Sequence, residues 1–272
     1  MIVDMHNHVW PDKIAARALE GAIPDMPLQG DGTIAGLYAA QDAGDIDYSV
    51  CLAVAHDPEH LERANTFIGQ IDRTRLIPFG TIHPRRSVED NLASLRASHV
   101  SGVKLHPTFQ KYRLDDTGLF DVLEALAGSY PVIAHVGAGG GGDGSQATPE
   151  MVRDIARALP TLTLIACHFG GYQHIDNAMR NLIGEPVYFD TSWPPSVGTL
   201  DPSLLRRIID EHGSDRILFA SDWPTASPAK EISALRSLGI PEDDLHLILG
   251  GNAQRILNLS PRLIDMDRTA DS

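Results

Sequence analysis

Cysteine is almost missing from this sequence. Cys51 and Cys167 are the two it has, inside the strand-like runs Ser-Val-Cys-Leu-Ala-Val and Leu-Ile-Ala-Cys-His-Phe. They give neither a disulfide framework nor a CxxC metal knuckle, and such usage fits a reducing compartment. Long apolar runs are missing too: none reaches the ~18 residues that a spanning helix needs. The N-terminus lacks a basic segment followed by an apolar signal core and enters structure by Ile2, so the expected location is cytoplasmic. Positive charge is in short supply, with 22 Lys and Arg against 36 Asp and Glu and a formal net charge of -14. That balance argues against a nucleic-acid groove or an anionic-membrane surface. It says little about a small-molecule substrate, because one cationic metal can dominate the field of a site. No linker-like stretch divides the chain. One domain is expected over residues 1–272, with a polar tail from about residue 265; homo-oligomerisation is left open.

What is present is a regular alternation. Short apolar segments predict eight strands: Ile2–His6, Tyr48–Ala55, Leu76–Ile82, Gly102–His106, Pro131–Val136, Leu162–His168, Val187–Thr191 and Ile217–Asp222. Several are nearly continuous in apolar residues, as strands covered on both faces are. Between them lie amphipathic segments with readable starts. Asp57-Pro58 opens Glu59–Ile71, Ser87 precedes Val88–Arg96, Thr148-Pro149 opens Glu150–Leu159, and Asp201-Pro202 opens Ser203–His212. Each pairs a capping side chain or a first-turn proline with the helix it begins. Thr117–Leu126 and Ser227–Leu238 supply two more. Strict alternation over eight strands predicts a closed (β/α)8 barrel rather than an open doubly wound sheet. The run Gly137–Gly144 reads as a loop, since it lacks the P-loop lysine and the strand-to-helix GxGxxG context.

In such a barrel the functional groups sit at the carboxyl ends of strands, and side chains two apart face the same way. His6 and His8 end the first strand, His135 the fifth, His168 the sixth and Asp222 the eighth. A lone strand-end histidine is an ordinary packing residue. Five imidazole or carboxylate groups arriving at one rim point to a site. Neutral imidazoles with one carboxylate suit Zn²⁺, Fe²⁺ or Mn²⁺ and leave a position open for water.

The motifs carry a resemblance. Asp4-Met5-His6-Asn7-His8, Gly102-Val103-Lys104-Leu105-His106-Pro107 and Ala166-Cys167-His168-Phe169-Gly170-Gly171 are similar to those of the amidohydrolase superfamily. So are Ala220-Ser221-Asp222-Trp223-Pro224 and the closing Gly250-Gly251-Asn252-Ala253-Gln254-Arg255-Ile256-Leu257. They resemble most the amidohydrolase-related branch, which includes aminocarboxymuconate-semialdehyde decarboxylase, in order from residue 2 to about residue 259. By position, the resemblance implies a divalent metal, zinc foremost with manganese or iron as alternatives, held by His6, His8, His135 and Asp222. Asp222 also relays a proton. His168 either ligates a second metal or stands beside the activated water as acid or base, the latter favoured because one metal is common in this branch. Lys104 either becomes carboxylated and bridges two metals or stays a cation that binds a substrate carboxylate, the cation being slightly preferred. His106, Trp10 and Trp223 are expected substrate contacts, His83 is expected at the mouth, and Asp190 is expected to orient a ligand imidazole. His56, His60, His99, His174, His212 and His246 are expected to be bystanders.

The implied activity is hydrolysis of a small ester, lactone or amide, with a substrate carboxylate for Lys104 or Arg113. Asp222 takes the water proton and passes it to the leaving group, while His168 stabilises developing charge. The alternative is metal-dependent non-oxidative decarboxylation of a small carboxylic acid. A barrel that binds without turnover is argued against by the complete set of strand-end groups. A deoxyribonuclease-like role is argued against by the acidity.

Overall fold

The structure is a computed structural model that describes residues 1–22 and 28–260; the polar tail from about residue 265 lies outside the described residues. Eight parallel strands run in sequence order, each beside the next. They are β1 Val3–Asn7, β2 Tyr48–Leu52, β3 Leu76–Thr81, β4 Gly102–Leu105, β5 Val132–Ala134, β6 Leu164–Ala166, β7 Tyr188–Asp190 and β8 Ile217–Leu218. β8 returns to β1 through backbone bonds from Met5 N to Phe219 O (2.9 Å), Asp222 N to His6 O (2.9 Å) and His8 N to Trp223 O (2.8 Å). This is the expected (β/α)8 barrel.

Two apolar layers fill it. Val3, Met5, Val50, Ile77, Phe79, Ile133, Ile165 and Leu218 pack inside the barrel, while Leu37, Leu95, Val122, Val152 and Ile208 belong to the larger layer that also holds outward-facing strand residues such as Val103 and Leu105. Gly102 is small for a reason: a Cβ there would lie 2.3 Å from the Phe79 ring, which occupies that space.

Three of the four capping signals hold, while Asp57 makes no side-chain cap bond. Ser87 Oγ accepts from Asp90 N at the start of Val88–Ala97, Thr148 accepts from Met151 N at Pro149–Ala158, and Asp201 accepts from Ser203 N at Pro202–His212. Thr117–Leu126 has the predicted bounds, with Asp116 as its cap. The segment after Asp57 begins as a 3-10 turn, Pro58–His60, before the α-helix Leu61–Gly69. The helices Asp12–Ala22, Ile34–Ala43 and Ile175–Leu182 were not anticipated.

All the strands but β1 end before their expected carboxyl ends. The last ladder residue of β8 is Leu218, four short of Asp222, which has a left-handed φ of 61°; His168, two beyond β6, has φ 60°. Left-handed backbone at these two positions sets the direction of the rim side chains, while Asp222 N still bonds His6 O of β1.

Candidate metal centre

Alternation alone would not place His6 at the axis. In β1 the residues packed inside the barrel are Val3 and Met5, so His6 has the wrong parity. The β1–β2 register shifts between Asp4 and Asn7, a bulge that re-aims everything after it. Asp4 secures the irregular stretch. Its Oδ1 accepts from His6 N (3.2 Å) and Ser221 N (3.0 Å), and its Oδ2 from Ser221 Oγ (2.6 Å). Burial pushes the Asp4 carboxyl up to about 7, with the Ser221 bonds opposing.

The bulge brings His6 Nε2 to 3.1 Å from His8 Nε2, with Asp222 Oδ1 at 3.3 Å and 3.6 Å from the two rings. A donor atom from each of these three residues lies within 4.8 Å of the others. The expected ligands are grouped differently from the single set of four. His135 pairs with His168, Nδ1 to Nε2 at 3.1 Å.

Tautomers follow from hydrogen-bond partners and are assigned from them. His6 Nδ1 donates to Asp190 Oδ2 at 2.8 Å, so its Nε2 carries a lone pair. His8 has its own backbone hydrogen bond to Leu52. His135 Nε2 donates to Ala138 O at 2.8 Å, leaving the lone pair on Nδ1. His168 Nδ1 lies 3.1 Å from Ser192 O and 2.8 Å from Ser192 Oγ, whose proton goes to Asp190 Oδ1 at 2.6 Å. Nδ1 is therefore the donor, and His168 Nε2 also carries a lone pair. Lone pairs thus face each other between His135 and His168, and His6 turns its own toward His8. Burial holds His6, His8 and His168 well below the usual histidine range and His135 at about 4, so protons are disfavoured between them. Burial also pushes Asp222 up to about 8, with Lys104 opposing. Neutral imidazole donors with a carboxylate that gains from a neighbouring cation fit a divalent metal.

Asp190 does what sequence expected of it and more. Besides His6 it accepts from His168 N (2.7 Å) and Ser192 N (3.2 Å), tying both imidazole pairs to one carboxylate. Ser192 went unnoticed, although it stands two residues beyond Asp190 with the parity that identifies His6 and His8. Lys104 is fully buried, with Nζ 3.2 Å from His6 Nε2 and 3.4 Å from Cys167 Sγ. Cys167 lies inside the barrel, its thiol pushed well up by burial. His106 stacks on His135, centroids 4.2 Å apart and planes at 9°, and its Nδ1 is buried without a partner. Trp10 stacks with His8 at 6.0 Å.

Trp223 is 1% exposed and packs against Gly30, so burial accounts for its size. His83 is fully buried, bonded to Gln110 O and Arg85 N, and ties loops together instead of lining the mouth. Arg113 is paired with Asp115 and is no free cation for a substrate. Of the bystanders, His212 is a core residue, stacked on Phe189 at 4.0 Å.

The profile of the Amidohydrolase family matches residues 3–259. The chain belongs to the amidohydrolase family. Members of this family are metal-dependent enzymes, hydrolases and decarboxylases among them. Among curated proteins none matches by sequence. A 5-carboxyvanillate decarboxylase from Sphingomonas paucimobilis superposes with TM-score 0.70 at 18% identity, covering 95% of this chain and 99% of that one. A dihydroxybenzoic acid decarboxylase from Polaromonas, with bound manganese and 2-nitroresorcinol, gives 0.73 at 17% identity, covering 95% and 97%. A probable 2-pyrone-4,6-dicarboxylic acid hydrolase from Acinetobacter baumannii, with citric acid bound, gives 0.65 at 17% identity, covering 95% and 99%. At these identities the likeness is one of fold.

Proposed function

We propose that this amidohydrolase hydrolyses a small ester, lactone or amide at a divalent metal held by His6, His8 and Asp222. The observation that carries the proposal is the convergence of His6 Nε2, His8 Nε2 and Asp222 Oδ1, 3.1 to 3.6 Å apart. His135 is the further ligand, and its pairing with His168 favours a second cation there over a free acid/base role for His168. A fully buried Lys104 Nζ beside the His6 ring is poorly placed to meet a substrate carboxylate; carboxylated, it would offer the metal centre a further oxygen ligand. A divalent cation in this position polarises a carbonyl and lowers the pKa of water toward ~7.

The chain's own groups do the rest. Asp222 accepts a proton from the attacking water and returns it to the leaving group. Asp190 holds His6 in the tautomer that keeps Nε2 free. His106 and Trp10, stacked on His135 and His8, are the substrate contacts of this reading. Zinc is the proposed ion on donor type, with manganese or iron as substitutes. The two unpaired, buried cysteines support a cytoplasmic setting. Among the described residues no helix is long and apolar enough to cross a membrane.

Decarboxylation is the second reading, favoured by the likeness to two carboxylic acid decarboxylases. There an acid at the site protonates the carbon that loses CO₂. Metal analysis with a screen of carboxylated lactones, esters, amides and aromatic acids, scored for acid release and for CO₂, separates the two. In metal-loaded Asp222→Asn, hydrolysis is expected to fall ~10²–10⁴-fold, as for a lost acid–base group. Near-full activity of that variant would overturn the proton relay.

A further inference from the structure

The glycine-rich run after β5 holds six glycines in eight residues, from Gly137 to Gly144. Its backbone is closely folded. Gly139 and Gly142 exchange hydrogen bonds of 3.1 Å and 3.0 Å, Gly137 N bonds Ala147 O at 2.8 Å, and Ala138 N bonds Tyr172 O at 3.0 Å. This fold turns the Ala138 carbonyl back onto the strand end, 2.8 Å from His135 Nε2. Gly139, at φ 122°, lies against the outer edge of the same ring: a Cβ there would sit 3.2 Å from both Cε1 and Nε2. On the other face His106 stacks at 4.2 Å. The ring is thus held on one face and along one edge, with its single proton claimed by a main-chain oxygen.

We infer that this loop is a positioning device for the metal centre. Its Ala138 carbonyl fixes His135 as the Nε2–H tautomer, and glycine at position 139 lets the backbone approach the ring without the tight 3.2 Å contact that a Cβ would add. The loop then guarantees the Nδ1 lone pair that faces His168. Partners of this kind set the tautomer and basicity of ligand imidazoles, and losing them weakens metal binding ~10–100-fold. The value of Gly139 for the metal rests on the proposed role of His135 as a ligand; the tautomer does not.

Gly141 supplies the control for a loop alanine without ring contact, since nothing lies within 4 Å of its Cβ position and its φ of 82° is nearer the range alanine tolerates than the 122° of Gly139. Gly139→Ala and Gly141→Ala both strain the backbone, but only the first presses a Cβ to 3.2 Å from the His135 ring. Imidazole ¹⁵N NMR of the metal-free protein at neutral to alkaline pH, with His135 assigned through its loss in His135→Gln, reads the tautomer directly. Zinc affinity by chelator competition reads the consequence. Wild type is expected to be Nε2-protonated at His135. Gly139→Ala is expected to show mixed tautomers and ~10–100-fold weaker zinc, and Gly141→Ala to match wild type in both. A wild-type His135 protonated at Nδ1 overturns the inference even if Gly139→Ala does not fold, as do equal effects of the two alanines. Unchanged zinc affinity in His135→Gln would instead overturn the ligand role of His135 and leave the tautomer result standing.

Discussion

Replacing Asp190 with asparagine asks how much of the metal affinity resides in a group that would never touch the metal. The carboxylate is fully buried and accepts from His6 Nδ1, His168 N, Ser192 N and Ser192 Oγ at 2.8, 2.7, 3.2 and 2.6 Å. Asparagine keeps the shape but offers one oxygen, and its NH₂ must face a donor. Turned toward His168 and Ser192 it opposes three donors; turned toward His6 it opposes one, so the second orientation is the milder. In that orientation His6 relinquishes its Nδ1 proton and carries one on Nε2, the atom that faces His8. A hydrogen bond to a charged group contributes ~1.5–3 kcal/mol, and losing one bond of this size shifts a dissociation constant by about 10–100-fold. Asp190→Asn should therefore bind zinc ~10–100-fold more weakly than wild type in chelator competition at fixed pH, with similar far-UV circular dichroism. Affinity within about 2-fold of wild type, in a folded variant, would refute the claim that Asp190 sets the His6 tautomer.

His8→Ala should lower metal content sharply when the purified protein is measured by elemental analysis, since few protein ligands are available to share the loss; unchanged content would remove His8 from the ligand set. His212 tests the pH dependence of folding. Burial holds it down to about 4 against an ordinary 6.5, so the unfolded chain binds its proton first as pH falls. Its stabilisation is present above 6.5 and lost as pH drops toward 4, by up to ~3 kcal/mol. Urea unfolding of His212→Gln at several pH values in that window should show a flatter dependence than wild type, and parallel curves would refute it. Gly102→Ala should destabilise by ~1–3 kcal/mol in the same assay, because its Cβ meets the buried Phe79 ring.

The barrel was readable because its strands are apolar runs and its helices announce themselves through Ser87, Thr148-Pro149 and Asp201-Pro202. The helices Asp12–Ala22 and Ile34–Ala43 were not, although Thr33, which accepts from Gly36 N, is a visible cap. The rim residues were readable from their places at strand ends, yet their grouping was not. Whether His6 points inward depends on a bulge held by Asp4 and Ser221, 217 residues apart in sequence, and no local pattern encodes that contact. Likewise, the left-handed turn at His168 that aims it at His135 follows a strand whose alternation would have put Cys167 there. Asp190 could be inferred because ligand imidazoles need an acceptor for their second nitrogen. Ser192 escaped because serine at a strand end has many uses.

The join between β1 and β8 bears on how the protein comes to be made. His6 and His8 lie on one side of that join and Asp222 on the other, so the proposed ion would act as a clasp between the first and last strands. A chain growing from its N-terminus carries the two histidines long before the aspartate exists, and they have no complete site to offer until the eighth strand is synthesised. Loading and circular closure thus become one late event. Removal of the ion would loosen the clasp at the same place, and deuterium should enter the amides of Met5, His8 and Asp222 ahead of those in the ladders between β2 and β5.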